Sequence, residues 1–126
     1  MEIGVDIVAL ERIRNAWERY GDAFLHRFLT GAEAGYCLGK KDPVPSIAGR
    51  FAAKEALVKA LGTGISGRVH WKSFEILNDT RGKPVVGICG EDLEHLNGRL
   101  KVSISHDRHS AVAVAIMELG IVGGGQ

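Results

Sequence analysis

Asp6 interrupts the apolar run Ile3 to Val8. A carboxylate there needs a cation or metal beside it or, where a strand runs into a helix, a backbone N–H to cap. In mid-chain, at roughly 100° per residue, Lys54 projects close to the centre of the stripe made by Ile47, Phe51 and Val58, and Arg50 lies on its shoulder. Burying an unpaired ammonium is costly, so these cations must snorkel, pair with a carboxylate or face an anion. Glu55 and Lys59, four residues apart, have the spacing that lets a carboxylate and an ammonium share one face. In isolation such a pair is an ordinary surface contact. His106 closes the Val102, Ile104, His106 face of a strand, where a lone histidine is more often a core-edge residue than a ligand. Arg108 and His109 add a small basic cluster of the kind that holds phosphate. Arg12 and Arg19, seven apart beside Glu11 and Glu18, form a solvated stripe that becomes a docking surface only toward an acidic partner.

Apolar spacing predicts the elements that must position these side chains. Ile3 to Val8 reads as a strand running straight into a helix with Leu10, Ile13, Trp17 and Tyr20 on one face. Gly21 ends that helix, Asp22 is suited to cap a second, and Thr30 with Glu33 forms a capping box opening a third. After the breaker Lys40 to Pro45, Ile47 through Leu61 keep one helical face until Gly62. Residues 62 to 67 form a glycine-rich turn. Trp71 to Leu77 and Pro84 to Cys89 then flank a connection containing Gly82, as a hairpin would. One or two helical turns over 91 to 97 precede two alternating β runs, Leu100 to Ser105 and Ala111 to Met117. The second carries alanine on one face and valine or isoleucine on the other. The expected fold is a single α+β domain over residues 1–120, helices first and antiparallel strands second, followed by a disordered Gly-rich tail, 121–126.

Composition narrows the class. With 126 residues, 45% of them apolar, the chain can bury one core but not two. A formal charge of +1 argues against nucleic-acid binding through bulk positive charge. No apolar run reaches the roughly 20 residues that span a bilayer, and the N-terminus lacks the order of a signal peptide, so a cytoplasmic protein with no membrane partner is expected. Cys37 and Cys89 lack metal-site or redox spacing and read as reduced, buried thiols.

Three segments together resemble the phosphopantetheinyl transferases: Gly4-Val5-Asp6-Ile7, Gly49-Arg50-Phe51-Ala52-Ala53-Lys54-Glu55-Ala56 with Lys59-Ala60, and Ser103-Ile104-Ser105-His106. Phe28-Leu29-Thr30 with Glu33, Gly62-Thr63-Gly64-Ile65 and Gly82-Lys83-Pro84 extend the likeness over essentially the whole chain. Within the family it is most similar to the small type that modifies acyl carrier protein in fatty acid biosynthesis. The resemblance implies magnesium-dependent transfer of the 4′-phosphopantetheine arm of coenzyme A to a serine of apo acyl carrier protein, releasing adenosine 3′,5′-bisphosphate. It implies Asp6 and Glu55 as the metal's carboxylates, which suits an ion that takes one or two carboxylates together with substrate phosphates. It implies Lys59 at the diphosphate, Arg50 and His106 at the nucleotide phosphates, and Lys41, Lys83 and Gly64 around the coenzyme. Arg12 and Arg19 resemble the family's carrier-docking stripe, with Arg14 and Arg27 nearby. Family members of this size are homotrimers whose active sites are shared between subunits. The serine's proton acceptor stays open among a metal-bound water, Asp6 and Glu55. The competing readings are a non-catalytic nucleotide- or partner-binding module of the same fold, and a transferase serving a polyketide or peptide synthase carrier domain.

Overall fold

A computed structural model describes residues 1–62 and 69–118. Gly64, most of the glycine-rich turn and the expected tail lie outside the described residues. Strand β1 (Glu2–Ala9) leads into α1 (Leu10–Tyr20), α2 (Asp22–His26), α3 (Gly31–Leu38) and the long α4 (Val44–Leu61). The hairpin β2 (Phe74–Asn78) and β3 (Pro84–Ile88) follows, then β4 (Leu100–His106) and β5 (Ser110–Met117). Two antiparallel sheets result, one of order β1-β5-β4 and one of β2-β3. The α+β class and the order of elements are as expected.

Helix α4 is the axle of the molecule, with buried side chains around most of its circumference. It lies on the inner face of the larger sheet, where Ala111, Ala113 and Ala115 of β5 meet an alanine-rich helix surface. Small residues on both partners let the backbones approach closely, and Gly4 marks the limit. A Cβ there would stand 2.1 Å from the Ala56 carbonyl oxygen and 2.8 Å from the Ala60 nitrogen, both main-chain atoms that cannot step aside. Asp6 and Val8 share the inner face of β1 with Gly4, because side chains alternate along a strand. At the other end of α4, Gly62 takes φ +78 and closes the helix in the left-handed conformation that glycine adopts without strain.

Four details correct the expectations. Asp6 caps nothing, since Ala9 occupies the N-cap of α1. Asp22 is the first residue of α2 rather than its cap, a place taken by Gly21. Trp71–Ser73 forms a 3-10 turn, closed by the Ser73 N–H on the His70 carbonyl, so the strand begins only at Phe74. Cys37 is buried, but Cys89 just past the end of β3 is exposed. No described helix is long and apolar enough to cross a membrane.

Candidate active site

Glu55 and Lys59 do not pair with each other. The Lys59 ammonium reaches across to β1, donating to Asp6 Oδ1 at 3.0 Å and to the Val5 carbonyl at 3.1 Å. One turn earlier on α4, Glu55 Oε2 accepts from the Trp71 indole N–H at 2.7 Å. Glu55 lies 49 positions from Asp6 in sequence but one helical turn from Lys59, the α4 side chain that holds Asp6. Each carboxylate has one oxygen engaged, and the second oxygen of each has no partner among the described residues. That donor set fits a divalent cation that is also held by substrate oxygens. Among the described residues no group of three or more His, Cys, Asp or Glu side chains could cage a metal unaided.

Lys54 answers differently. Its ammonium is fully buried, 2.5 Å from Glu33 Oε1 and 2.6 Å from the Phe28 carbonyl. Burial pulls its pKa down, and the Glu33 charge opposes that pull. Glu33 is equally buried and also accepts from the Thr30 and Ile76 N–H groups, so it closes the capping box of α3 and pins β2. Lys54 is therefore a structural strut.

Arg50 and His106 line one cleft, with Tyr36, Ser46, Gly49, Asn78, Gly82 and Pro84 among its other walls. Arg50 donates to the Ile76 carbonyl at 3.0 Å and to Asn78 Oδ1 at 2.6 Å, and its guanidinium lies 4.5 Å above the Tyr36 ring centre. The opposition of these partners fixes its direction while leaving donors over. His106 is exposed, at the end of β4. Beyond it, Asp107 Oδ1 accepts from the His109 and Ser110 N–H groups, which hold its carboxyl below the usual aspartate range and order the turn. Lys83 is exposed between Gly82 and Pro84, at the rim of this cleft, whereas Lys41 is exposed and does not line it.

A second cleft, of about 320 Å³, is walled by Arg12, Arg27, Phe24, Phe28, Phe51, Trp71 and Glu55. It shares no residue with the first, so α4 carries the two groups of candidate side chains on different faces. Arg12 and Arg19 are exposed on α1, as a docking stripe requires, while Arg14 is tied to Asp42 by an ion pair of 3.1 Å.

Neither spacing nor periodicity marks Trp71, Tyr36 or Asn78 as part of a site. An indole at the start of a predicted strand reads as a packing residue, and nothing in its spacing pairs it with a carboxylate 16 positions earlier. The spacing marks Glu33 only as a cap, while Lys54 in the middle of an apolar stripe signals that a carboxylate is buried with it.

A helix–sheet scaffold with Asp6 and Lys59 joined across β1 and α4, and a separate cleft lined by Arg50 and His106, is the frame in which the class of this chain is read. The pattern of the 4′-phosphopantetheinyl transferase superfamily matches residues 2–115, and the chain belongs to that family. It is 73% identical over 124 residues to the holo-acyl-carrier-protein synthase of Chlorobium limicola, covering 98% of each chain. Among solved structures it resembles the holo-acyl-carrier-protein synthase of Neisseria meningitidis, with a TM-score of 0.85, 37% identity and coverage of 94% of this chain and 98% of that one. The Helicobacter pylori holo-acyl-carrier-protein synthase in complex with coenzyme A matches with a TM-score of 0.81 at 35% identity, over 92% of this chain and 99% of that one.

Proposed function

We propose that the chain is a holo-acyl-carrier-protein synthase of fatty acid biosynthesis: it transfers the 4′-phosphopantetheine arm of coenzyme A to a serine of apo acyl carrier protein and releases adenosine 3′,5′-bisphosphate. The observation that carries this reading is the ion pair of Lys59 on α4 with Asp6 on β1, one helical turn from Glu55, in a chain so similar to synthases of that activity.

In the reaction the serine oxygen bonds to the β-phosphorus as the bond to the nucleotide's 5′-phosphate breaks. Charge gathers on phosphoryl oxygens, and neutralising it is the main catalytic task. Magnesium, held by Asp6 and Glu55, supplies Lewis-acid stabilisation when bound. Lys59 is 56% exposed along its side chain, so it can leave Asp6 and place its ammonium on the diphosphate. Arg50, braced by Ile76, Asn78 and Tyr36, presents its remaining donors to the nucleotide phosphates together with His106. Lys83 and Lys41 add positive charge on the adenosine side. Arg12 and Arg19 meet the acidic surface of the carrier.

The working unit is a homotrimer. The outer face of the larger sheet exposes an apolar set, Ile3, Val5 and Ile7 of β1 with Val114 of β5, and exposure of that kind favours an interface. The cleft of Arg50 and His106, about 160 Å³, shares Pro45 and His106 with a wider one of about 970 Å³ that Arg14, Asp42 and Arg108 also line. Native mass spectrometry checks the trimer: three chains per particle are expected, and a stable monomer with full activity would refute the assembly.

Incubation with coenzyme A, magnesium and apo carrier protein tests the activity. The carrier is expected to gain about 340 Da, the mass of the group transferred, as read by mass spectrometry. An unchanged carrier mass would overturn the proposal.

A further inference from the structure

We infer that Trp71 is a positioning residue for Glu55, its indole N–H fixing one carboxylate oxygen so that the other is presented to the divalent cation. This rests on the reading of Glu55 as a metal ligand.

The geometry is specific. The indole nitrogen lies 2.7 Å from Glu55 Oε2. Its ring stands 6.5 Å from the Phe51 ring, and Phe51 is in turn edge-on to Phe28 at 5.2 Å. Phe51 precedes Glu55 by one turn of α4, so the aromatic row and the carboxylate are fixed to the same helix. From the other side, the 3-10 turn beginning at Trp71 is closed by the Ser73 N–H on the His70 carbonyl at 2.9 Å, and it is tied to the hairpin's far end by the Cys89 N–H on the Ser73 carbonyl at 2.8 Å. The donor is thus held by packing and main chain. Arg12 and Arg27 line the same cleft, but neither forms an ion pair with Glu55.

The type of donor matters. An indole N–H donates only, carries no charge and cannot titrate in the working range, so it orients a carboxylate without competing with an incoming cation. A glutamate side chain has three rotatable bonds that the metal would otherwise have to immobilise itself. Outer-shell hydrogen bonds of this sort fix ligand direction, and their loss commonly weakens metal binding by tenfold or more. Asp6 has the opposite arrangement, since its partner is a charged and largely exposed lysine that can be displaced.

The experiment titrates manganese into the whole protein with coenzyme A, read by electron paramagnetic resonance, for the parent chain, Trp71→Phe and Glu55→Gln. Magnesium dependence of transfer is measured alongside. Trp71→Phe keeps an aromatic ring against Phe51 and is expected to weaken manganese binding roughly tenfold. It should raise the magnesium needed for half-maximal rate by a similar factor and leave kcat at saturating magnesium within about twofold. Glu55→Gln should leave manganese unbound, so that the six-line signal of the free ion persists. Lost binding in Glu55→Gln with unchanged binding in Trp71→Phe would overturn the role of Trp71 while sparing Glu55 as a ligand. Unchanged binding in Glu55→Gln would overturn the ligand reading itself. Should Trp71→Phe fold poorly, the benzothienyl analogue of tryptophan at position 71, which replaces the N–H by sulfur in the same ring shape, gives the same readout.

Discussion

Two lysine–carboxylate pairs sit on one helix, five residues apart, and they have different fates. Lys54 and Glu33 are both fully buried, and every charged atom they bury finds a partner in the surrounding backbone or in each other. Lys59 and Asp6 form an ion pair of 3.0 Å with the lysine largely in solvent and the aspartate at 17% exposure. The chemistry of the pairs is the same, and their surroundings decide what each can do. A buried, saturated pair has no free valence and can only hold α3, α4 and β2 together. The half-exposed pair keeps an oxygen open and a mobile cation, which is what binding a charged substrate requires.

Breaking the buried pair is expected to have the largest effect on folding. Glu33→Ala strands the Lys54 charge and two backbone N–H groups, and should cost about 3–5 kcal/mol in urea unfolding. A loss below about 1 kcal/mol would mean that water reaches Lys54. Next in size, reversing Arg12 and Arg19 to Glu should raise the KM for the carrier roughly tenfold or more while leaving that for coenzyme A within about twofold. An unchanged carrier KM would remove α1 from the docking surface. Smaller still, Lys59→Met should shift stability by no more than about 1 kcal/mol, since the lysine of the pair is largely in solvent. Equal costs for Lys59→Met and Lys54→Met would show the two pairs to be equivalent. The smallest effect is expected at Asp107, an exposed carboxylate whose pKa is lowered chiefly by the His109 N–H and then by that of Ser110. A depressed carboxylate stabilises the fold above its unfolded pKa and loses that contribution as pH falls through its folded value. The Tm difference between the parent and Asp107→Ala should therefore be constant above about pH 5 and shrink below about pH 4. A difference that grows toward acid would contradict the hydrogen bonds assigned to that turn.

Most of the architecture was legible because it follows from local rules. The 3-and-4 spacing of α1, the Thr30–Glu33 box and the glycine stop at Gly62 all stand where the pattern places them. The alternation over 111 to 117 was also correct, and the structure resolves what it covers. Its alanine face packs inside against α4, while Val114 turns outward. Helix α4 starts three residues before the predicted Ile47, because Asp42 Oδ1 accepts from the Val44 N–H and Pro45 fits a helix's first turn. For the site, the anomalous charges were visible but their partners were not. Spacing flagged Lys54, Arg50 and Asp6 as misfits, yet Glu33, Asn78 and Lys59 meet them through contacts 21, 28 and 53 residues away in sequence. Periodicity describes one element at a time, and such pairings are set only when elements pack. For the same reason the spacing of Glu55 and Lys59 predicts a pair, although each is drawn to a different neighbour.

The central claim is that Asp6 and Glu55 serve the reaction and not the fold. The most direct test measures transfer of the phosphopantetheine arm and thermal unfolding on the same preparations of Asp6→Asn and Glu55→Gln. Transfer is expected to fall by about 10³-fold or more in each, with Tm within a few degrees of the parent. Near-normal magnesium-dependent turnover in either folded variant would contradict the account.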